Sequence, residues 1–362
     1  MGFILAACSG GESNTPVYHE SENPERLSEW GMLSIEGAAL TLGEGVTPYD
    51  LATPLFSDYA LKLRTVWMPG GEPALYNENA TFNFPVGTVI TKTFYYPKAS
   101  AEWTGDVAID RPRSVNNRAM ALDNLRLVET RLLVRRDNGW SALPYVWNDE
   151  QTDAVLQRTG AVIPMTLHRD SDTIEPFAYI VPNVNQCAGC HATNATTKAI
   201  EPIGPKARHL NKPSSFAPGF NQLDHWIAKG LLVGDIETPA PRNADWTDTG
   251  ESLDARARAY LDANCSHCHN PNGPADTSGL NLEPDAAGPA LGVCKAPIAA
   301  GRGTGGRAYG IVPGRPDLSI TVFRMETIDP GAMMPELGRA VAHDEGVKLI
   351  AEWIAAMEGG CS

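Results

Sequence analysis

The residues with the clearest chemical meaning belong to two copies of a Cys-x-x-Cys-His motif. The two copies have the same spacing and consist of Cys187, Cys190 and His191, and of Cys265, Cys268 and His269. Two thiols about one helical turn apart lie on the same face of a helix, so each can form a thioether with one vinyl group of a haem. The adjoining histidine is then held beneath the iron as its proximal ligand. The motifs therefore predict two covalently attached haems c.

Two other uses of paired cysteines fit the sequence less well. A zinc site usually has its two Cys pairs about 15–20 residues apart, whereas positions 187 and 265 are 78 residues apart. A thioredoxin-like redox site needs one pair next to a βαβ pattern. Neither use explains a histidine directly after each pair, so haem attachment remains the prediction for both motifs.

A distal ligand for the second iron is predicted at Met334, which precedes Pro335. A residue before proline is driven out of the helical region into extended backbone, so the Met334 thioether can project from a loop towards an iron. The other interpretation of Met334 is an ordinary core methionine. Met333 is expected in the core. His343 is the remoter alternative, at the start of a helix where it is expected to face solvent.

The distal ligand of the first iron stays open at this point. His209, expected in a loop 18 residues after His191, is the leading candidate, and a surface histidine is the competing interpretation. Met165 and His168 come next, and a five-coordinate iron is the remaining alternative. His225 is argued against because it lies opposite the apolar stripe of its predicted helix.

Haem propionates need cationic or hydrogen-bond donors. The predicted donors lie in the loop before Met334 and after the first motif, and they are Arg302, Arg307, Arg315, Arg324, Lys206 and Arg208. One or two of them are expected to pair with propionates, and the others to be solvated surface charges.

Two cysteines outside the motifs, Cys294 and Cys361, are predicted to form a disulfide, since paired cysteines are typical of exported proteins. The bridge would close a loop of roughly 67 residues and contribute about 4 kcal/mol in the chain-entropy model. Two separate free thiols are the alternative. The pair would hold the last helix against a loop far earlier in the chain.

The N-terminal stretch Leu5-Ala6-Ala7-Cys8 resembles a bacterial lipobox, in which the cysteine becomes the lipidated first residue. Residues 1–7 are thus expected to be a remnant of a signal peptide, and residues 8–29, rich in Ser, Gly, Glu and Pro, a flexible tether. A chance match in a cytosolic chain is the alternative. No stretch has the 18 or more apolar residues of a membrane span, so membrane contact is expected only through a lipid on Cys8.

The formal net charge of the 362-residue chain is −14. Such a balance argues against nucleic acid as a partner, because its binding depends on clustered Lys and Arg. It favours a soluble surface or a basic redox partner protein.

The hydrophobic patterns predict an α+β multidomain protein. Residues 30–182 are expected to form a mostly β, sandwich-like domain, followed by a first haem segment at 183–240 and an all-α domain at 241–362 with the second haem. Strands are predicted at 88–96, 125–136, 140–147 and 177–181, the second and third joined as a hairpin at Asp137-Asn138-Gly139. Helices are predicted at 221–232, 252–264 and 344–357, the last with Asp344 as its cap.

The order of helix, motif, loop, Met-Pro and helix across residues 250–358 resembles a class I cytochrome c domain. That resemblance implies His269 as the proximal and Met334 as the distal ligand. From about residue 30 onward the chain also resembles a family of bacterial diheme c-type cytochrome lipoproteins. The stretches that carry this resemblance are residues 52–58, 85–88, 131–134, 139–140, 145–147, 185–191, 203–208, 260–269 and 334–338. The family implies an exported, membrane-anchored electron carrier with no defined substrate.

Three functions are compatible with these features. The first is electron transfer between partner proteins, without substrate turnover, on the periplasmic side of the cell envelope. Ser9 after Cys8 gives no retention signal, which favours the outer membrane. The second is a diheme oxidoreductase, peroxidase-like, in which the first iron has an open position. The third is a binding module in which the β-rich domain docks a partner and the haems relay electrons.

Overall fold

The computed structural model describes residues 14–109, 118–170, 172–236, 238–298 and 300–362, and the predicted lipidation site Cys8 and signal remnant lie outside them. The strands, in chain order, are β1 (Leu33–Glu36), β2 (Ala39–Leu42), β3 (Thr47–Tyr49), β4 (Leu61–Trp67), β5 (Ala74–Leu75), β6 (Val89–Pro97), β7 (Asp106–Ala108), β8 (Ala119–Ala121), β9 (Leu125–Arg136), β10 (Gly139–Trp147), β11 (Ala154–Leu156), β12 (Ala161–His168), β13 (Ile174–Val181) and β14 (Leu232–Val233). The α-helices are α1 (Val184–His191), α2 (Ala207–Leu210), α3 (Gln222–Ala228), α4 (Leu253–Leu261), α5 (Gly288–Leu291), α6 (Ile320–Glu326) and α7 (Asp344–Ala355).

The centre of the molecule is an antiparallel sheet with the strand order β11-β10-β9-β6-β4-β3. Its longest strand, β9, has the predicted bounds, and the predicted hairpin joins it to β10 with Gly139 opposite Arg136. Gly139 has a φ of 119°, which a residue without a Cβ adopts without strain. β6 is rich in β-branched and aromatic residues, which suit a strand that is buried on both faces.

Both faces of this central sheet are covered. The three-stranded sheet β1-β2-β8 packs on one face around Leu40, Leu63 and Leu132. The sheet β13-β12-β7 packs on the other face around Phe94. The N-terminal half of the chain is therefore β-rich, as the sequence predicts, and its core follows from the alternation of side chains along each strand.

Residues 14–29 differ from the flexible tether that their composition predicts. Leu27 and Trp30 are buried in the core beneath β10. The Tyr145 hydroxyl donates to the backbone oxygen of Pro24 at 2.8 Å. The apolar residues at the end of this segment outweigh its polar composition and hold it against the sheet.

The segment that contains the first motif shares a core with the central sheet. Leu210 of α2 and Trp226 of α3 pack against Val66 and Ile90 of the sheet. α3 is shorter than predicted because Gly230, with φ 69°, follows its last turn. Residues 183–240 are thus a layer on the sheet rather than a separate unit.

The C-terminal region, from residue 253 onward, has helices and no strand among its described residues. α4 begins after Ser252, whose hydroxyl accepts the N–H of Ala255, and it continues as a π-helical turn over Asp262–Ser266. The core of the region lies between α4, α6 and α7. No helix in the described part of the chain combines the length and the apolar character needed to cross a bilayer.

The C-terminal region contains the predicted disulfide but not the predicted cap of its last helix. The Cys294–Cys361 disulfide is present, with an S–S distance of 2.12 Å, so that prediction is confirmed. Asp344 is not the cap of α7, because His343 holds that position without a side-chain cap. The Asp344 carboxylate instead pairs with Arg169 of the β-rich region at 2.9 Å, which links the two parts of the chain.

Candidate functional site

The second motif opens into a cavity of about 620 Å³. Its wall includes all four residues predicted at this site, which are Cys265, Cys268, His269 and Met334. Cavities that enclose medium-sized organic ligands measure about 300–1,000 Å³. Cys265, Cys268, His269 and Met334 therefore surround one space, and its volume is large enough for the haem predicted there.

The hydrogen bond of His269 defines which ring nitrogen is free. Its Nδ1 lies 3.1 Å from the Ser278 hydroxyl, and that hydroxyl donates to the backbone oxygen of Ala275. The Ser278 oxygen therefore accepts a hydrogen bond from Nδ1–H, so Nε2 carries the lone pair. Burial lowers the pKa of His269 to about 4, which keeps the ring neutral near pH 7. A neutral imidazole with its Nδ1 held in this way is the form that ligates iron.

The loop that carries Met334 is attached to α6. The Met334 N–H donates to the backbone oxygen of Arg324 at 2.7 Å, and the Arg324 guanidinium donates to Ala332 at 2.8 Å. Met333 is buried in the core, as predicted. These contacts direct two successive methionines to different surroundings, with only Met334 on the cavity wall.

His343 does not face solvent, contrary to the prediction. Its ring stacks on Phe56 at a centroid distance of 4.2 Å, and its Nδ1 lies 2.8 Å from the Tyr260 hydroxyl. Its Nε2 lies 3.7 Å from Glu345. His343 also lines the large cavity. Its Nδ1 is held by Tyr260, while 3.7 Å is too long for a hydrogen bond between its Nε2 and Glu345, so His343 stays the alternative to Met334 as the predicted ligand.

The first motif lies on α1, which follows β13 after a two-residue link. Asn183 caps this helix by accepting the N–H groups of Asn185 and Gln186. His191 Nδ1 lies 2.7 Å from the backbone oxygen of Glu201. A carbonyl oxygen only accepts, so Nδ1 carries the proton and Nε2 the lone pair. Burial lowers the pKa of His191 to about 4, and the two motif histidines thus share one tautomer.

The space at His191 differs from that at His269. His191 lines a second cavity of about 100 Å³, well below the volume that a haem ring needs. Cys190 lies on the wall of the large cavity instead, and Cys187 is buried. The residue types and the histidine hydrogen bond fit a haem at the first motif, but the volume in front of His191 does not.

His209 lies neither in a loop nor on the surface. It is part of the short helix α2, is 3% exposed and lines the same small cavity as His191. Its Nε2 lies 3.4 Å from Asp262 and its Nδ1 3.5 Å from the Asn243 amide. Asp262 is itself held by Arg208 through two hydrogen bonds of 2.7 and 2.8 Å. The two nitrogens of the His209 ring therefore face Asp262 and Asn243, at distances near the upper limit of a hydrogen bond.

The other candidates for the first iron lie elsewhere. Met165 of β12 is buried in the core, and His168, at the end of the same strand, pairs with Asp106 at 3.1 Å. Neither lines either cavity. His225 lies beside Phe220, away from both cavities.

The two motifs contact each other although 78 residues separate them. The Cys268 Sγ lies 3.5 Å from the backbone oxygen of Gly189, within the first motif. His267, between the two cysteines of the second motif, lines both cavities and is 7% exposed. Its position inside a motif was visible in the sequence, but its place between the cavities depends on the folded chain.

The cations predicted to face propionates are distributed unevenly. Arg324 lines the large cavity and Lys206 the small one. Arg208 is bound by Asp262, while the remaining three are held by surface contacts, namely Arg302 with Asp329, Arg315 with Asp317, and Arg307 with the Asp317 backbone oxygen.

Three cations of the central sheet also line the small cavity and were not predicted as site residues: Arg64, Lys92 and Arg131. The signal that could have found them is a charged residue inside a strand of buried β-branched and aromatic neighbours.

Among the described residues, no group of three or more His, Cys, Asp or Glu side chains is arranged to hold a bare metal ion. Comparisons of the chain with protein-family models, with curated proteins and with solved structures found no match.

Proposed function

We propose that the chain is a c-type cytochrome with two covalently attached haems, which transfers electrons between redox partner proteins without turning over a substrate. The observation that carries the proposal is the contact between the motifs, with Cys268 Sγ 3.5 Å from the Gly189 oxygen. Electron tunnelling weakens steeply with distance, so two cofactors attached at touching motifs would exchange electrons rapidly. The haems supply the reversible one-electron chemistry.

The second site is the better supported of the two. The Nδ1 of His269 is fixed by Ser278, and Met334 lies on the wall of the same 620 Å³ cavity. His/Met ligation raises the reduction potential of a haem relative to other ligand sets. We infer that residues 241–362 form a class I cytochrome c-like domain, in which α4 delivers the motif and α7 packs against α4.

The proposed location is the periplasmic side of the envelope, with a lipid on Cys8 and the outer membrane as the site of the anchor. The Cys294–Cys361 disulfide supports an oxidising compartment, because disulfides are rare where thiols are kept reduced. The charge of −14 suits a basic redox partner.

The test is expression in a host with c-type haem-attachment machinery, followed by intact-mass analysis and reduced-minus-oxidised visible spectra. Two haem additions that persist after denaturation, with c-type bands that appear on reduction, are expected. A mass without haem from that host would refute the proposal. Rapid reduction by a basic electron-transfer protein, suppressed by salt, would support the partner class.

A second candidate is a peroxidase-like oxidoreductase with an open first iron. One observation favours it, because the His209 nitrogens face Asp262 and Asn243, and Met165 and His168 lie away from His191. Electron paramagnetic resonance separates the candidates, since an open iron gives a high-spin signal and binds cyanide or carbon monoxide. Two low-spin signals without cyanide binding support the electron carrier and refute this candidate.

A further inference from the structure

Three cations form a row across neighbouring strands of the central sheet. Arg64 of β4 lies directly opposite Lys92 of β6, and Lys92 lies directly opposite Arg131 of β9. Side chains in such pairs start about 4.5–5.5 Å apart at Cβ, and like charges placed there repel each other. The row lies on the sheet face that meets the first motif, where all three residues line the 100 Å³ cavity with His191.

The acidic groups nearby neutralise this row only in part. Of the three cations only Arg131 has a carboxylate within 4 Å in the described chain, Glu129 at 2.5 Å. That carboxylate also accepts the Tyr179 hydroxyl at 2.6 Å. Asp50 acts on Arg64 from a greater distance and is itself bound by Lys212 at 2.8 Å. Asp262, the acid on the opposite wall of the cavity, is bound by Arg208.

Arg64 and Lys92 carry the excess charge. Arg64 is 6% exposed, and its buried Nη2 has no hydrogen-bond partner. Within the described chain, Lys92 has no acidic group within 4 Å of its ammonium; it lies over the Phe94 ring, 4.8 Å from the centroid. Burial and the neighbouring cations lower the pKa of Lys92 well below its usual value. A buried positive charge without a partner is unfavourable, so an anion in the cavity would stabilise both residues.

A purely structural role does not account for the row. The Phe94 ring offers its face to Lys92 and to Arg131, whose guanidinium lies 4.4 Å from the centroid. That ring does not account for Arg64, whose Nη2 has no hydrogen-bond partner. Lys206 brings a further positive charge to the same cavity. The volume of about 100 Å³ holds a group the size of a carboxylate rather than a ring system.

We propose that Arg64, Lys92 and Arg131 form a binding site for a carboxylate. Two sources share this chemistry. One is a propionate of the haem attached at Cys187 and Cys190, which rests on the proposed function. The other is a small free carboxylate such as acetate, which does not.

The experiment compares the wild-type holoprotein with Arg64→Gln and Lys92→Gln, and with Arg64→Lys, which keeps the charge. The matched control is Arg136→Gln, because Arg136 is a buried arginine of β9 that bonds to Glu22 and Asn23 and lines neither cavity. The measurements are spectroelectrochemical midpoint potentials over a range of pH and calorimetric titration with acetate. Intact mass gives the number of attached haems in each sample.

If the carboxylate is a haem propionate, Arg64→Gln and Lys92→Gln should each lower the midpoint potential of one haem. The potential of the other haem and both potentials of the control should stay unchanged, and Arg64→Lys should restore the wild-type value. A free carboxylate predicts acetate binding to the wild type that weakens about tenfold in Arg64→Gln, without a change in either potential.

Protein with both haems attached, no change in potential and no acetate binding would overturn the proposed site while the proposed function stands. Protein without a haem at the first motif would overturn the proposed function there. In that case the acetate titration alone decides the site. If Arg64→Gln does not fold, Lys92→Gln gives the same comparison from the neighbouring strand.

Discussion

Cys268 lies with its Sγ 3.5 Å from the backbone oxygen of Gly189, so the two Cys-x-x-Cys-His motifs touch in the folded chain. The buried ion pair of Arg208 and Asp262 joins the two chain segments that carry the motifs. Arg208 follows the first motif, and Asp262 begins the π-helical turn that leads into the second. An ion pair with one partner fully buried holds a defined geometry, because separating its charges is costly.

Removal of the motif cysteines should remove the haems one at a time. The variant Cys187→Ala/Cys190→Ala and the variant Cys265→Ala/Cys268→Ala are each expected to keep one covalent haem, measured by intact mass and by the reduced absorbance per protein. The variant Cys294→Ser/Cys361→Ser is the control and should keep two. Two haems in either motif variant would contradict the attachment sites.

Met334→Ala should remove the weak red absorption band of Met–Fe(III) coordination and lower the potential of one haem. Met333→Leu is the matched control. The Met333 side chain, next to Met334 in the sequence, is buried in the core, where a substitution of similar volume is tolerated. The control should keep the band and both potentials. A band that survives in Met334→Ala would exclude this methionine as the ligand.

Asp58 connects the β-rich region to the chain just after the methionine loop. Its Oδ1 accepts the N–H groups of Ala340 and Val341 at 2.6 and 3.0 Å. Burial raises the pKa of Asp58 to about 6, although these two bonds favour the ionised form. The folded state therefore binds this proton more tightly than the unfolded state does, so its contribution to stability is present below about pH 4 and is lost as the pH rises to about 6.

Asp58→Asn removes that titration and retains an oxygen for both N–H groups. The free energy of unfolding of this variant minus that of the wild type should be about 2–3 kcal/mol larger at pH 7 than at pH 4, because only the wild type loses stability over this range. Chemical denaturation at both pH values measures the difference, and other titrating groups cancel in the comparison. A difference that stays constant or changes in the opposite direction would show that Asp58 titrates normally.

The Cys294–Cys361 bridge should contribute about 4 kcal/mol to the free energy of unfolding, since it closes a long loop in the unfolded chain. Cys294→Ser/Cys361→Ser measured by denaturation is expected to lose that amount. The wild type in the presence of reductant should show the same loss. Equal stability of oxidised and reduced wild type would contradict a structural role for the bridge.

Local patterns in the sequence were sufficient for several features. The strand 125–136 and its hairpin follow from alternation and a Gly-containing turn, which act between near neighbours. The helix that leads to Cys265 follows from the spacing of its apolar residues. The Cys294–Cys361 pair follows from counting cysteines. Each of these signals lies in the spacing of residue types along the chain.

The tertiary structure decided which distant residues meet. The alternation of side chains along β4, β6 and β9 indicates which residues of each strand share a face. Only the register between the strands places Arg64, Lys92 and Arg131 in one row. His209 is buried because α2 packs on the sheet. The polar residues next to it in the sequence did not indicate this burial. Residues 14–29 pack for the same reason, since burial depends on the surface that a segment meets.

The sequence by itself determined the composition and spacing of the two motifs, and these predict haem attachment, because that chemistry needs only two thiols and a histidine at a fixed local spacing. Only the tertiary structure decided that the motifs touch, that Met334 faces the cavity of the second motif, and that a row of cations faces the first. These relationships join segments far apart in the chain, and their geometry depends on how helices and strands pack rather than on any local pattern.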